Sequence, residues 1–243
     1  MFATIPRSAR LPSKLGTLLA TALLGGFALP ALAVEPFTAD YQVYFQGSPQ
    51  GAGTMRLARL DGNRWKYSLD IKGTSGMAAI AGADIAQSTT FEVVDGQWRP
   101  LAGSDSSKML FKHSSKTATY DWDAGVARWS GDVKPERAGP VRLRAGDMDA
   151  MLLNLALARD VAAGKPLTYR LVDNGRAKQH HFTVAGQESI TVDGQSRQAT
   201  KVVRTDGDKQ TIAWVVDGLP VPARLLQRED GRDELDLRIR SLH

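Results

Sequence analysis

Alternation of apolar and polar residues with a period of two governs most of this chain. From Phe37 to Gln46 the set Phe37, Ala39, Tyr41, Val43 and Phe45 falls on one face, and Thr38, Asp40, Gln42 and Gln46 on the other. From Arg64 to Lys72, Trp65, Tyr67, Leu69 and Ile71 alternate with Arg64, Lys66, Ser68, Asp70 and Lys72. Near the end Leu235, Leu237 and Ile239 alternate with Glu234, Asp236, Arg238 and Arg240. Successive side chains of a strand point to opposite faces, so each segment predicts a half-buried antiparallel strand. Turn pairs separate such runs at Asp95-Gly96, Asp193-Gly194, Asp206-Gly207, Asp217-Gly218 and Asp230-Gly231, and Asp61-Gly62-Asn63 marks a hairpin. About a dozen strands or slightly more result, with no residue-level repeat. The fold class expected is mainly β: an antiparallel β-barrel or strongly curved half-barrel.

Two segments break the alternation. Residues Asp147 to Ala163 read as the one substantial α-helix, about residues 147–163, with Asp147 as N-cap, Asp149 in the first turn and Gly164-Lys165-Pro166 as the stop. Met148, Met151, Leu152, Leu153, Leu155 and Leu157 occupy too wide an arc for a surface helix. It should be buried on the concave side of the sheet or plug a barrel mouth. The second segment, Gly73 to Ser88, is small and nearly uncharged, with Met77, Ile80 and Ile85 as its large apolar groups. It predicts a packed loop or short helix closing one end of the core, or a lid over a pocket.

The first residues carry an export pattern: Arg7, Arg10 and Lys14, then an uncharged run from Leu15 to Leu29, then Ala31-Leu32-Ala33. A basic start, an apolar run too short to span a bilayer and small residues before a cut define a cleavable signal peptide. Cleavage is expected after Ala33, with residues 34–243 forming a single domain. Removing three basic residues from 31 leaves 28 against 26 acidic ones, too even a balance for a nucleic-acid partner. There is no cysteine, so neither disulfides nor a thiol for lipid attachment are available. No later run of eighteen apolar residues is found, and charges on outward strand faces disfavour an outer-membrane barrel. The localisation expected is periplasmic, exported and soluble.

Catalytic signals are sparse. His180 and His181 are adjacent on a strand and so point apart, which prevents joint chelation, and His113 and His243 are isolated. All four read as surface residues, and neither a metal nor a cofactor is expected. Asp121 and Asp123 could share a strand face as paired acid and base, yet Asp123-Ala124-Gly125 also suits a turn. Ser75 precedes Gly76 but lacks the final glycine of a nucleophile elbow. P-loop, dinucleotide, calcium-loop and zincin patterns are missing. Strand aromatics Trp65, Tyr67, Trp98, Tyr120, Trp122, Trp129 and Trp214 read mostly as core. Should the curved sheet be incompletely filled, the expected pocket lining is Trp65, Tyr67, Met77, Ile80, Met151, Leu152 and Leu155.

Five segments in this order resemble the bacterial exported family catalogued as domain of unknown function 3108: YQVYFQGSPQGAGTMRL, TSGMAAI, DGQWRPL, GDMDAMLLNLALARDVAAG and WVVDGLPVPARLLQREDG. The likeness runs from about Phe37 to Leu242. It implies an exported protein and brings no reaction, cofactor or catalytic residue. The helix departs from the expected pattern in carrying Met and Leu in place of Tyr. The leading expectation is a non-enzymatic envelope protein that binds an apolar ligand, a lipid or acyl chain, or the hydrophobic segment of an envelope partner. Alternatives are a rigid module docking a partner protein or glycan through its surface, and a hydrolase using Asp121 or Asp123. Protein exported by a bacterial host should have an intact mass that begins at Val34; a mass retaining Met1 would contradict the cleavage.

Overall fold

The computed structural model describes residues 35–243; the expected signal peptide, residues 1–33, lies outside them. The elements are β1 (Phe37–Phe45), β2 (Ser48–Arg59), β3 (Arg64–Gly73), α1 (Gly76–Ile80), β4 (Asp84–Val94), β5 (Gln97–Met109), β6 (Lys112–Asp121), β7 (Val126–Gly131), β8 (Val141–Arg142), α2 (Leu152–Ala162), β9 (Thr168–Asp173), β10 (Arg176–His181), β11 (Thr183–Val192), β12 (Gln195–Asp206), β13 (Lys209–Val215), β14 (Arg224–Glu229) and β15 (Arg232–Leu242). Thirteen strands form one sheet in the order β11-β12-β13-β14-β15-β1-β2-β3-β4-β5-β6-β7-β8, while β9 and β10 pair apart as a hairpin. All pairings within the large sheet are antiparallel. The first and last strands pair in its interior, β15 beside β1.

The order has two ends, β8 and β11, so the sheet is an open, half-barrel-like wall. Its inner face carries the alternating apolar residues: Ala39, Met55, Tyr67 and Phe91 are fully buried, and Tyr41 is 1% exposed. β11 is an edge with almost every residue exposed, and its register with β12 slips between Val184 and Gly186. The hairpin turns fall where Gly and Asp marked them: Asp95, Asp193 and Asp230 adopt φ near +50° beside their glycines.

α2 closes the inner face. Leu152 and Ala156 are fully buried, and Leu153, Leu155, Leu157 and Ala158 nearly so. Its start lies five residues later than Asp147. Asp147 does not cap it: its carboxylate accepts the Arg144 N–H at 2.8 Å and pairs with the Arg170 guanidinium. The following residue bridges β9, with Val172 N–H donating to the Met148 carbonyl at 2.8 Å. Residues 147 and 148 are thereby held extended. The capping carboxylate is Asp149, whose Oδ1 accepts the Leu152 N–H at 2.9 Å. At the other end Gly164 takes φ +61°, and Lys165 N–H reaches back to the Asp160 carbonyl at 2.8 Å.

Within the small-residue segment α1 is pinned outside this core, with Met77 and Ile80 exposed, whereas Ile85 falls in β4 and packs against the core. Thr74 and Ser75 N–H groups both donate to the Gln50 carbonyl, Ser75 Oγ donates to the Pro49 carbonyl at 2.9 Å, and Gln50 Oε1 accepts the Ala78 N–H. A Cβ on Gly73 would stand 2.4 Å from the Ala78 carbonyl oxygen, so only glycine admits this approach of α1 to β3. Among the described residues no helix is long and apolar enough to cross a membrane. Leu152→Asp should cost more than about 4 kcal/mol in chemical denaturation, because a buried unpaired carboxylate adds to the lost apolar burial; a small change would mean that α2 contributes little to the core.

Candidate ligand cavity on the concave face

Between the sheet's inner face, α2 and the β9–β10 hairpin runs a cavity of about 450 Å³. Leu69, Ile71, Ile85, Leu225, Leu235 and Leu237 supply an apolar wall from β3, β4, β14 and β15. Met151 just before α2 and Leu153 within it, with Leu171 and Phe182 from and beside the hairpin, face it. Strand periodicity explains the wall: each contributor occupies an inward position of its strand. Polar groups enter at two places. Asp105 and Lys116 of β5 and β6 form an ion pair at 3.0 Å near Asp149 and Asp173, while His180 and Arg204 come from β10 and β12.

The acidic group is electrostatically tense. Asp149 is 4% exposed, and burial pushes its pKa up to about 6, against hydrogen bonds from Thr89 Oγ1 and the Leu152 N–H that favour the charged form. Burial likewise raises Asp173, with Lys116 opposing and Asp105 adding to the effect. Tyr120 is raised by burial and by the nearby Asp149 and Asp173, so it stays a neutral phenol, donating to the Val172 carbonyl at 2.9 Å. His180 is pushed down to about 4, first by burial and then by Arg204 and Lys178, which leaves the imidazole uncharged at neutral pH. A site of this composition can hold an apolar chain along its wall and a polar end against Asp149, Asp173 and Lys116. Among the described residues no three His, Cys, Asp or Glu side chains are grouped to hold a metal ion.

Of the residues expected to line a pocket, Met151 does so. Trp65, Tyr67, Leu152 and Leu155 are buried in the main apolar core, to which Met151 also belongs, and do not line this cavity. Met77 and Ile80 are 70% and 75% exposed on α1, away from the cavity, because the ties to Gln50 and Gly73 hold that helix outside the core. Asp121 Oδ1 accepts the Ala124 N–H at 2.8 Å, the local bond of a turn, and Asp123 is exposed beside it. His181 Nδ1 is 2.8 Å from Thr168 Oγ1, and His243 lies 3.9 Å from Asp40. Sequence reasoning missed Asp173, Lys116, His180 and Arg204 as cavity residues, and it placed Asp149 in the first turn only. The histidine pair was the one available signal, and His180 is half-buried where a surface position was expected.

Asp149 has a pH signature. Its folded pKa lies above the unfolded value, so the native state binds the extra proton and stability falls as pH rises from about 4 to about 6. Asp149→Asn keeps a side-chain oxygen that can cap the helix and removes the titration. Urea denaturation across this range should show the wild-type decline, amounting to about 2–3 kcal/mol at most, and a flatter profile for the variant; parallel profiles would place the proton elsewhere.

The architecture has a counterpart among solved structures. The crystal structure of a β-barrel-like protein of domain of unknown function DUF1849 from Brucella abortus aligns with 86% of this chain and 97% of its own at 12% identity, with a TM-score of 0.53; the two share a fold. The structure of the Pseudomonas aeruginosa MucA/MucB complex aligns with 86% of this chain and 51% of its own, also at 12% identity, with a TM-score of 0.33, too low for any inference about this chain. No curated protein matches in sequence. The family model described as "Protein of unknown function (DUF3108)" matches residues 40–238, and the chain belongs to that family.

Proposed function

We propose that the protein is a non-enzymatic component of the bacterial envelope that holds a lipid or acyl chain against the concave face of its sheet. The observation that carries this reading is the cavity of about 450 Å³, whose wall is apolar and whose polar groups are gathered at separate places. Its volume lies within the usual range of about 300–1,000 Å³ for small-molecule sites. Leu225 and Leu235 retain partial exposure on the inner face. Apolar surface left wet in this way is a source of binding energy, about 25 cal/mol for each Å² that a ligand covers. The export pattern of residues 1–33 supports a periplasmic setting for such a carrier. Turnover is no part of the proposal; Asp121, the carboxylate of the hydrolase alternative, serves a turn.

A ligand that binds only the native state stabilises it. Fatty acids or phospholipids at a hundred times their dissociation constant should raise Tm by roughly 5–10 °C for a domain of this size. Leu225→Trp, which adds bulk at a half-exposed position of the wall, should remove most of that gain while changing the Tm of the ligand-free protein far less. A wild-type protein that carries no lipid from its envelope and gains no stability from either ligand class would end the reading.

A further inference from the structure

Five turns of this molecule set a polar residue at positive φ before a glycine, Gln46-Gly47 among them, and a sixth does not. Asp95-Gly96, Asn174-Gly175, Asp193-Gly194 and Asp230-Gly231 place Asp or Asn at φ near +50° before a glycine, the chemistry that hairpin turns favour. The β5–β6 turn puts Leu110 at φ +50° and follows it with Phe111. A bulky apolar residue is costly in that conformation. Both are also in water: Leu110 is 61% exposed, Phe111 104% and the neighbouring Met109 53%. Leu110 N–H donates to the Ala81 carbonyl at 2.7 Å, so the turn lies against the end of α1. That brings it beside Ile80 and Met77, which share a helix face three residues apart. Five large apolar side chains therefore project at one end of the sheet.

The charge around them is basic. Lys108, Lys112 and His113 flank the turn and are exposed, with Lys108 opposite His113 and Met109 opposite Lys112. Lys72 and Asp84 face each other on the adjoining strands, and Asp84 also faces Lys108. The lysines ion-paired among the described residues are Lys116, Lys178, Lys201 and Lys209, so the charges of Lys108 and Lys112 are not consumed by acids. With a rise of about 3.3 Å per residue, Lys108 stands one or two residues behind the apolar tip. This spacing suits headgroup contact above side chains buried about 5–10 Å into a bilayer interface. A projecting tip with a basic collar fits a lipid surface better than a protein groove, which needs broad complementary area.

We propose that the Leu110-Phe111 turn and α1 form a docking edge for an anionic membrane surface. Ile71 and Ile85, which line the cavity, sit two residues before Gly73 and two after Ala83 on strands that lead straight to this edge. The edge therefore brings one end of the cavity to the bilayer; only that last clause rests on the acyl-chain reading above.

The test is vesicle flotation of protein produced by an export-competent host, with wild type and variants sharing whatever N-terminus the cell leaves. Phosphatidylglycerol vesicles should carry the wild type, and phosphatidylcholine vesicles at least tenfold less. L110N/F111G restores the turn residues used elsewhere in the chain, so it should fold with equal or higher Tm and lose at least tenfold in flotation. M77S/I80S should lose a similar amount, and K108A/K112A should erase the preference for phosphatidylglycerol. Wild type that ignores both vesicles, or L110N/F111G that floats as well as wild type, overturns the proposal. A wild-type dimer in sedimentation that L110N/F111G dissociates, without flotation, would assign the edge to a second copy and overturn it equally. Fatty-acid stabilisation separates the two readings: L110N/F111G should keep it, and its absence in wild type counts against the cavity alone.

Discussion

An open sheet of thirteen strands has an inner face that it cannot cover by closing on itself, and the rest of the structure answers that constraint. α2 lies against this face with Leu152 and Ala156 fully buried. Each buried leucine contributes on the order of 1.5–3 kcal/mol. What fixes the helix in place is polar. Asp147 pairs with Arg170, Met148 bridges β9, and Asp149 caps the first turn. Asp147 and Met148 thus tie the approach to the helix to its hairpin, and Asp149 ties the first turn to Thr89 of β4. The cover is shorter than the wall is long, and the remainder is the cavity.

Asp149 belongs to both the scaffold and the cavity. Its carboxylate accepts the Leu152 N–H at the helix start, accepts from Thr89 and lines the cavity beside Asp173. Anything lodged there alters the solvation of a group already close to neutrality at mildly acidic pH.

The architecture was legible because period two is a direct consequence of strand geometry. The burial patterns of β1 and β3 reproduce the expected alternation except at Phe45, which the alternation put on the inward face and which is 49% exposed at the end of β1. The helix was legible as buried, since no surface can accommodate Leu152, Leu153, Leu155 and Leu157 together. Its start was not legible: Asp147 and Asp149 are equally good local caps, and a distant arginine and β9 decide between them. The cavity lining was the least legible part. Alternation reports which side chains point inward but not whether the space they meet is filled, so Tyr67 and Leu152 turn out packed where Leu225 and Leu235 are left partly open. Lys116, Asp173, His180 and Arg204 come from four strands spread along the chain, and no local pattern joins them.

The slipped register at the β11 edge has a further effect. A bulge bends the strand that carries it and increases its twist. A foreign strand approaching β11 thus finds the row of bonding partners interrupted between Val184 and Gly186. An exposed rim so deformed is a poor template for runaway sheet extension, and it leaves an incomplete barrel protected from polymerising through its own open side.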